Sequence, residues 1–416
     1  MRDTLIIEGG HPLQGQVTVS GAKNAGLVLM AASIMADGET ILDNVPLISD
    51  VEVMIRILND IGVKTEWRED GSLSICPPQG EVKSHTSYEL AKLLRASNLF
   101  LGAMLGRQGE ATISLPGGCD IGTRPMDLHI KGLQALGTDL ELEHGYIYAR
   151  VKKANGARVY MDFPSVGATE NIMMMAAKTP GQSIIENAAK EPEIVDLANF
   201  LNFMGAKVRG AGTDIIRIEG VNELKPGRYA IIPDRIEAGT YMIAAAISQG
   251  EILVQNVIPT HLHPIIAKLQ EAGATVQETD QGILVKAGAQ ILPIDIKTLP
   301  YPGFPTDMQS QMMALLSLAN GTSMIVENVF ENRFQIVDEL KRMGAKIKVE
   351  GHTAVIDGVS SLFGARVKAT DLRAGAALIL GGLAAEGETI IDNAGYIFRG
   401  YENIKEKLNT LGAKLV

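Results

Sequence analysis

The sequence predicts an α/β protein of two domains, each built from three copies of one repeat, with buried helices inside and sheets outside. Three recurrences carry that expectation. A strand-like element opened by glycine returns six times: GETILDNV from Gly38, GEATISLP from Gly109, GQSIIENA from Gly181, GEILVQNV from Gly250, GTSMIVEN from Gly321 and GETIIDNA from Gly387. After each comes an amphipathic stretch that ends in a hydrophobic-Gly-small signature: IGV at Ile61, LGT at Leu136, MGA at Met204, AGA at Ala272, MGA at Met343 and LGA at Leu411. Glycine there suits a helix C-terminus, where φ often turns positive. Before each strand lies an apolar stretch rich in Ala and Met: AGLVLMAASIMA, ASNLFLGAMLG, TENIMMMAAK, AGTYMIAAAIS, MQSQMMALLSL and RAGAALILGGLAA. Apolar residues around the whole circumference mean a helix enclosed on most faces.

Taken in order, each repeat reads as a central buried helix, a strand, an outer helix and short strands, a βαβαββ-like pattern with a period of about 70 residues. Met runs such as Met173 to Met175 are expected to be core, because Met fills irregular gaps. A chain of 416 residues suits two domains, so three repeats fall in each. The midpoint lies in IIPDRIEAGT around Pro233, where a proline and charges open a helix.

Composition narrows the class. Apolar residues make up 46% and charged residues 21%, which suits a soluble globular chain rather than a disordered one. The start, MRDTLIIEGGHPL, has acidic residues and no apolar core, and no stretch offers about 18 uninterrupted apolar residues. A cytoplasmic protein with neither signal peptide nor membrane span is expected. The two cysteines, Cys76 and Cys119, cannot make a disulfide scaffold and sit in no metal-ligand spacing. A formal net charge of -10 argues against nucleic acid as the main partner. A small anionic substrate would need a local cluster of Arg and Lys.

Such clusters recur where the buried helices begin: SGAKNA at Ser20, LLRASN at Leu93, SVGATE at Ser165, DRIEAGT at Asp234, PTDMQSQ at Pro305 and DLRAGAA at Asp371. Helix N-termini present unpaired N–H groups and the positive end of the dipole, so they favour anions. Lys23, Arg95 and Arg373 add a cation to three of them. Simple helix capping or local pairing, with Asp234 next to Arg235 and Asp371 close to Arg373, is the competing expectation. Repetition in phase with the buried helix favours six mouths that face one cleft.

In the second repeat the connection from strand to outer helix is long, LPGGCDIGTRP, with Pro116, Gly117, Gly118 and Gly122. Loops of this kind carry chemistry more often than cores do. Arg124 would lower the Cys119 thiol toward neutrality, while Asp120 pulls the other way. His129 is the one histidine nearby and is expected on the following helix, which favours proton transfer by Cys119 over a protease-like role. Cys76, at the end of a strand in LSICPPQ, is expected to be inert.

LPGGCDIGTRPMDLHI, together with SGAKNA, LLRAS, SVGAT, ENAAKEPEIVD, PDRIEAGT, FPTDMQ, ENRF, DLRAGAA and FRGYE, resembles the UDP-N-acetylglucosamine 1-carboxyvinyltransferase family. These enolpyruvyl transferases are similar to 5-enolpyruvylshikimate-3-phosphate synthase. The motifs follow the family order from the first strand to the C-terminus. The resemblance implies two inside-out α/β barrel domains, each of three βαβαββ units. One would span 22–232 and carry a catalytic loop at 115–125; the other would join 1–21 to 233–416.

The implied reaction moves the enolpyruvyl group of phosphoenolpyruvate to the 3-hydroxyl of UDP-N-acetylglucosamine and releases phosphate, a committed step of peptidoglycan synthesis. No metal and no cofactor are implied. By resemblance Cys119 is the general acid toward the phosphoenolpyruvate methylene and can add to that substrate covalently. Asp307 would orient or deprotonate the attacking hydroxyl, although the sequence equally allows a helix N-cap there. Lys23, Arg124 and Arg399 would hold phosphate and carboxylate, as bidentate guanidinium geometry permits, with Asn24 and Arg373 in the same pocket. The implied contacts to the nucleotide sugar are Arg95, the run Arg124, Pro125, Met126, Asp127 and Leu128, then Ser165, Val166 and Gly167, and finally Asp307 and Val329. A site split between two domains is expected to close on the nucleotide sugar, with the Cys119 loop as its lid.

Two positions depart from the family pattern. Phe398 stands where an acidic neighbour of Arg399 is common, and DFPSVG lacks a lysine common before SVG. Phe398 motivates an alternative, a catalytically weak paralogue kept for binding or regulation. The PGGC motif weighs against the shikimate-pathway branch, which uses no loop cysteine. The epoxide phosphonate fosfomycin is expected to alkylate Cys119 and stop turnover while Cys76 stays unmodified. Intact mass and peptide mapping check this, and an adduct at Cys76 alone would overturn it; Cys119→Ser should abolish both the adduct and the proton donor.

Overall fold

A computed structural model describes residues 4–115 and 126–416. The chain divides into two compact units, one of residues 21–115 and 126–232, the other of residues 4–20 and 233–416. Each unit has its own apolar core. Among the described residues, the central helices are Lys23–Ala32, Leu99–Gln108 and Val166–Lys178 in the first unit. In the second they are Arg235–Ile247, Gln309–Leu316 and Leu372–Ala384. As the apolar circumference predicts, they are buried along nearly their whole length, and Met173, Met174 and Met175 are core.

Each helix is followed by the strand that opens with the recurring glycine, then by an outer helix. The six outer helices are Ser49–Asp60, Asp127–Ala135, Pro192–Phe203, His263–Glu271, Ile336–Arg342 and Ile404–Thr410. The glycine just past each of them, Gly62, Gly137, Gly205, Gly273, Gly344 and Gly412, has positive φ. A side chain resists that conformation, so the signature ends the helix. In five of the six the amphipathic pattern lays one face on the core and leaves the other to solvent, whereas Pro192–Phe203 is buried along most of its length.

The third repeat shows the sheet plan. The central strand Gln182–Glu186 runs parallel to Arg158–Tyr160 on one side and antiparallel to Ile215–Glu219 on the other, which pairs in turn with Lys207–Arg209. Five four-stranded sheets follow this order. The sixth, in the second repeat, has three strands, and its parallel partner shrinks to the single bridge His85↔Thr112. Alternate strand residues are buried, as in Ile215–Glu219, so each sheet turns one face to the helices and one to water.

Strand pairing also closes each unit into a ring. The first strand, Thr4–Glu8, pairs antiparallel with Glu388–Asp392 and with Lys414–Leu415, completing the sixth repeat. The strand that precedes the first central helix, Gln14–Thr18, pairs with Glu251–Gln255 of the fourth repeat. Conversely Arg228–Ala230, which precedes the fourth central helix, pairs with Thr40–Asp43 of the first. Each unit therefore takes the edge strand that chain order would assign to the other.

Small residues let the central helices approach closely. A Cβ at Gly102 would lie 2.3 Å from the Asn171 carbonyl oxygen and 2.7 Å from its Cα, both backbone atoms of the neighbouring helix. The Gly102 N–H also donates to Asn171 Oδ1 at 2.6 Å. Gly102→Ala must therefore push two buried helices apart, a change expected to cost about 1–3 kcal/mol. A lower thermal midpoint and a lower urea midpoint than wild type are the expected readings.

Candidate active site

The helix mouths differ in how their first N–H groups are met. Ser165 caps Val166–Lys178 through Ala168 N–H, Asp234 caps Arg235–Ile247 through Ile236 and Glu237 N–H, and Asp371 caps Leu372–Ala384 through Arg373 and Ala374 N–H. The residues preceding the other three central helices, Ala22, Asn98 and Met308, make no side-chain cap. Those mouths carry Lys23, Arg95 and Asp307.

In the unit of residues 21–232, Lys23 opens its helix, and its Nζ lies 3.1 Å from Asp50 Oδ2 on the neighbouring outer helix. Asn24 Nδ2 donates to Glu193 Oε1 at 3.5 Å. Glu193 lies close to Glu170, whose carboxyl is pushed well above the usual carboxylate range, first by burial and then by the charges of Glu193 and Glu191. Lys23 and Asn24 thus stand beside a group of carboxylates, and one of these favours its neutral form.

A second cluster in this unit surrounds His129. The residue lies on Asp127–Ala135, as expected, but it is buried rather than facing solvent. Asn171 bonds to its Nδ1 at 2.9 Å and donates to the Asn98 carbonyl at 3.1 Å. Burial, with Arg95 adding its positive charge, lowers the His129 imidazole from 6.5 to about 3. A Cβ at Gly167 would lie 3.2 Å from His129 Cε1, so the ring backs the SVG mouth closely. His129 and Asn171 thus link Arg95, Asn98 and Gly167, and Met126 meets Asn98 Nδ2 through its sulfur at 3.7 Å. Met126 is buried, Asp127 exposed and Leu128 half-buried.

In the unit of residues 233–416, Asp307 is not an N-cap. It sits within the 3-10 turn Thr306–Met308, where both carboxylate oxygens meet buried guanidinium groups. Arg333 Nη2 donates to Oδ1 at 2.9 Å, and Arg373 donates to Oδ2 from Nη2 at 2.9 Å and from Nε at 3.2 Å. Arg373 also lies over the Tyr401 ring at 5.6 Å. Burial opposes its charge, but Asp307 and its other neighbours more than offset that, so the guanidinium is held charged. The Asp371 side chain caps its own helix, and Asp307 on another repeat is the carboxylate that holds the Arg373 side chain. Arg235 likewise reaches an aromatic ring, that of Tyr301 at 5.6 Å.

Val329 follows the strand Thr322–Val326, and its N–H donates to Glu327 Oε1 at 2.8 Å. Arg399 ends the 3-10 stretch Ala394–Arg399 and is half-buried, with Phe398 beside it exposed. Cys76 ends its strand half-buried, with the thiol 3.9 Å from the Pro77 carbonyl. Cys119, Asp120, Arg124 and Pro125 lie outside the described residues. Among the described residues no group of three or more His, Cys, Asp or Glu could hold a metal ion. Sequence reasoning missed Arg333, Glu327 and Asn171. Arg333 stands in the quoted ENRF motif, but only the fold brings it to Asp307.

A family model described as EPSP synthase (3-phosphoshikimate 1-carboxyvinyltransferase) matches residues 7–408. The chain belongs to the EPSP synthase family. Within this family it is 55% identical over 415 residues to UDP-N-acetylglucosamine 1-carboxyvinyltransferase 1 of Caldanaerobacter subterraneus subsp. tengcongensis, covering 100% of this chain and 99% of the relative. A UDP-N-acetylglucosamine 1-carboxyvinyltransferase of Halothermothrix orenii is 54% identical, with 99% of this chain and 98% of the relative covered. Among solved structures, the enolpyruvyl transferase NikO from Streptomyces tendae superposes with a TM-score of 0.87 at 24% identity, covering 99% of this chain and 98% of that one. EPSP synthase from Acinetobacter baumannii gives 0.75 at 18% identity, covering 99% of both chains. These likenesses show the fold, the two-domain inside-out barrel expected of the family.

His129 gives this site a pH signature. Its folded value is depressed to about 3 from 6.5, so below 6.5 the unfolded chain binds a proton that the folded chain refuses. Stability is full above 6.5 and falls as the pH drops toward 3. A His129→Gln variant is expected to lose that share of the acid sensitivity, about 1.4 kcal/mol per pH unit within the window. Urea midpoints compared with wild type at several pH values measure the difference.

Proposed function

We propose that this chain transfers the enolpyruvyl group of phosphoenolpyruvate to the 3-hydroxyl of UDP-N-acetylglucosamine, releasing phosphate at the entry to peptidoglycan synthesis. The observation that carries the reading is identity of 54–55% over essentially the whole chain to relatives bearing that acceptor in their names. No helix among the described residues is long and apolar enough to cross a membrane, which suits the cytoplasmic location where both substrates would be met.

The chemistry needs four services. The sugar oxygen must bond to C2 of phosphoenolpyruvate, C3 must gain a proton, and then C2–O(phosphate) must break as a C3 proton leaves. Cys119 would supply the proton to C3. Asp307 would orient or deprotonate the sugar hydroxyl, and its grip by Arg333 and Arg373 supports that role because a carboxylate held at both oxygens cannot swing. Its side chain keeps 27% exposure, enough to meet a ligand. Lys23, Arg124 and Arg399, with Asn24 and Arg373, would neutralise the phosphate and carboxylate of phosphoenolpyruvate. Arg95, Arg124 to Leu128, Ser165 to Gly167 and Val329 would take the nucleotide sugar, where backbone N–H groups at a helix mouth suit its diphosphate.

Phosphate release measured with both substrates tests the reading; no turnover at saturation would leave the binding or regulatory paralogue that Phe398 suggests. Asp307→Asn keeps the shape and removes the charge. It is expected to lower kcat by about 10²–10⁴-fold with a much smaller change in either KM, read in the same assay.

A further inference from the structure

Glu327 lies at the end of the Thr322–Val326 strand, buried to 1% exposure. Its carboxylate gathers four donors from three parts of the chain. Oε1 accepts from Thr298 Oγ1 at 2.8 Å, Val329 N–H at 2.8 Å and Phe330 N–H at 3.1 Å. Oε2 accepts from Thr306 Oγ1 at 3.0 Å. Thr298 extends the first arm, since its Oγ1 accepts from Asn328 N–H at 2.9 Å and its carbonyl accepts from Asn328 Nδ2 at 3.1 Å.

Thr306 immediately precedes Asp307 in the same 3-10 turn, and Val329 is the expected contact to the nucleotide sugar. One buried carboxylate therefore ties together two turns that would touch the same substrate. We propose that Glu327 is a positioning residue for the sugar acceptor, fixing the turn that carries Asp307 against the turn that carries Val329. Hydrogen bonds to an ionised acceptor are short and strong, and only a carboxylate can accept from all four donors without offering a proton. Burial makes the arrangement specific, because any donor that turned away would leave an unmet acceptor. The inference rests on the function proposed above.

The two arms separate in steady-state kinetics. Thr306→Val frees the Asp307 turn and should lower kcat on the order of tenfold to a hundredfold, with KM for UDP-N-acetylglucosamine within about twofold. Thr298→Val frees the Val329 arm and should raise that KM by a similar factor with kcat nearly kept. Thr306→Ser and Thr298→Ser, which retain the hydroxyl, should restore each constant. Glu327→Gln keeps an oxygen for the Val329 arm and an NH2 that can donate to Thr306 Oγ1, so it should move either constant less than the Val variants do. An active wild type beside variants that lower only the thermal midpoint, or two arms that move the same constant, would overturn the inference alone. A wild type that releases no phosphate would overturn the function and this inference together.

Discussion

A helix enclosed on every side leaves little room for polar groups, so most of them collect in its first two turns. That constraint governs the whole chain. In the unit of residues 21–232 two central helices touch backbone to backbone at Gly102 and Asn171, and in both units the sheets cover the outer flanks. What cannot be buried along the helix is displaced to its first turn, where the unpaired N–H groups and the dipole already favour oxygen. Where Ser165, Asp234 or Asp371 meets those groups, the mouth is self-satisfied. The three without such a cap hold Lys23, Arg95 and Asp307. The proposed chemistry thus falls on turns that the fold leaves without a cap.

Much of this was legible because it is local. Apolar circumference, the glycine that ends an outer helix and the strand that follows a buried helix each leave a mark within a dozen residues, and six repetitions make the mark hard to miss. The site was legible only in part. Asp307 could be read as an N-cap because its neighbours in sequence suit one. Its true partners, Arg333 and Arg373, come from another turn and another repeat. Glu327 carries no sequence signal at all, since a buried glutamate on a strand end looks like any surface glutamate until Thr298 and Thr306 are brought to it. The closing pairs, such as Leu5↔Ile391, join residues nearly the whole chain apart and leave no local trace.

Buried charge is the common cost of this design. Arg333, Arg373, Glu237 and Glu327 are all nearly inaccessible; the two arginines share Asp307, and the two glutamates are each met by several donors. Lys407 Nζ lies 2.6 Å from Glu237, and Ser20 N–H donates to the same carboxylate at 2.9 Å. Burial still pushes the Glu237 carboxyl up to about 7. Such groups contribute little net stability compared with apolar replacements, but breaking one partner away is severe. They fix where turns sit, which a core of Ala, Met and Ile alone would leave loosely specified.

The exchanged edge strands also set an order of assembly during synthesis. Thr4–Glu8 and Gln14–Thr18 emerge first, yet their partners lie at 251–255, 388–392 and 414–415. The intervening unit, whose strands all lie between residues 40 and 230, can close while the ribosome is still extending the chain. Until the later repeats appear, the two leading strands have unpaired edges, which can recruit wrong partners. Strands made before the whole intervening unit are thus satisfied after it, and a growing chain must carry them unpaired past a finished neighbour.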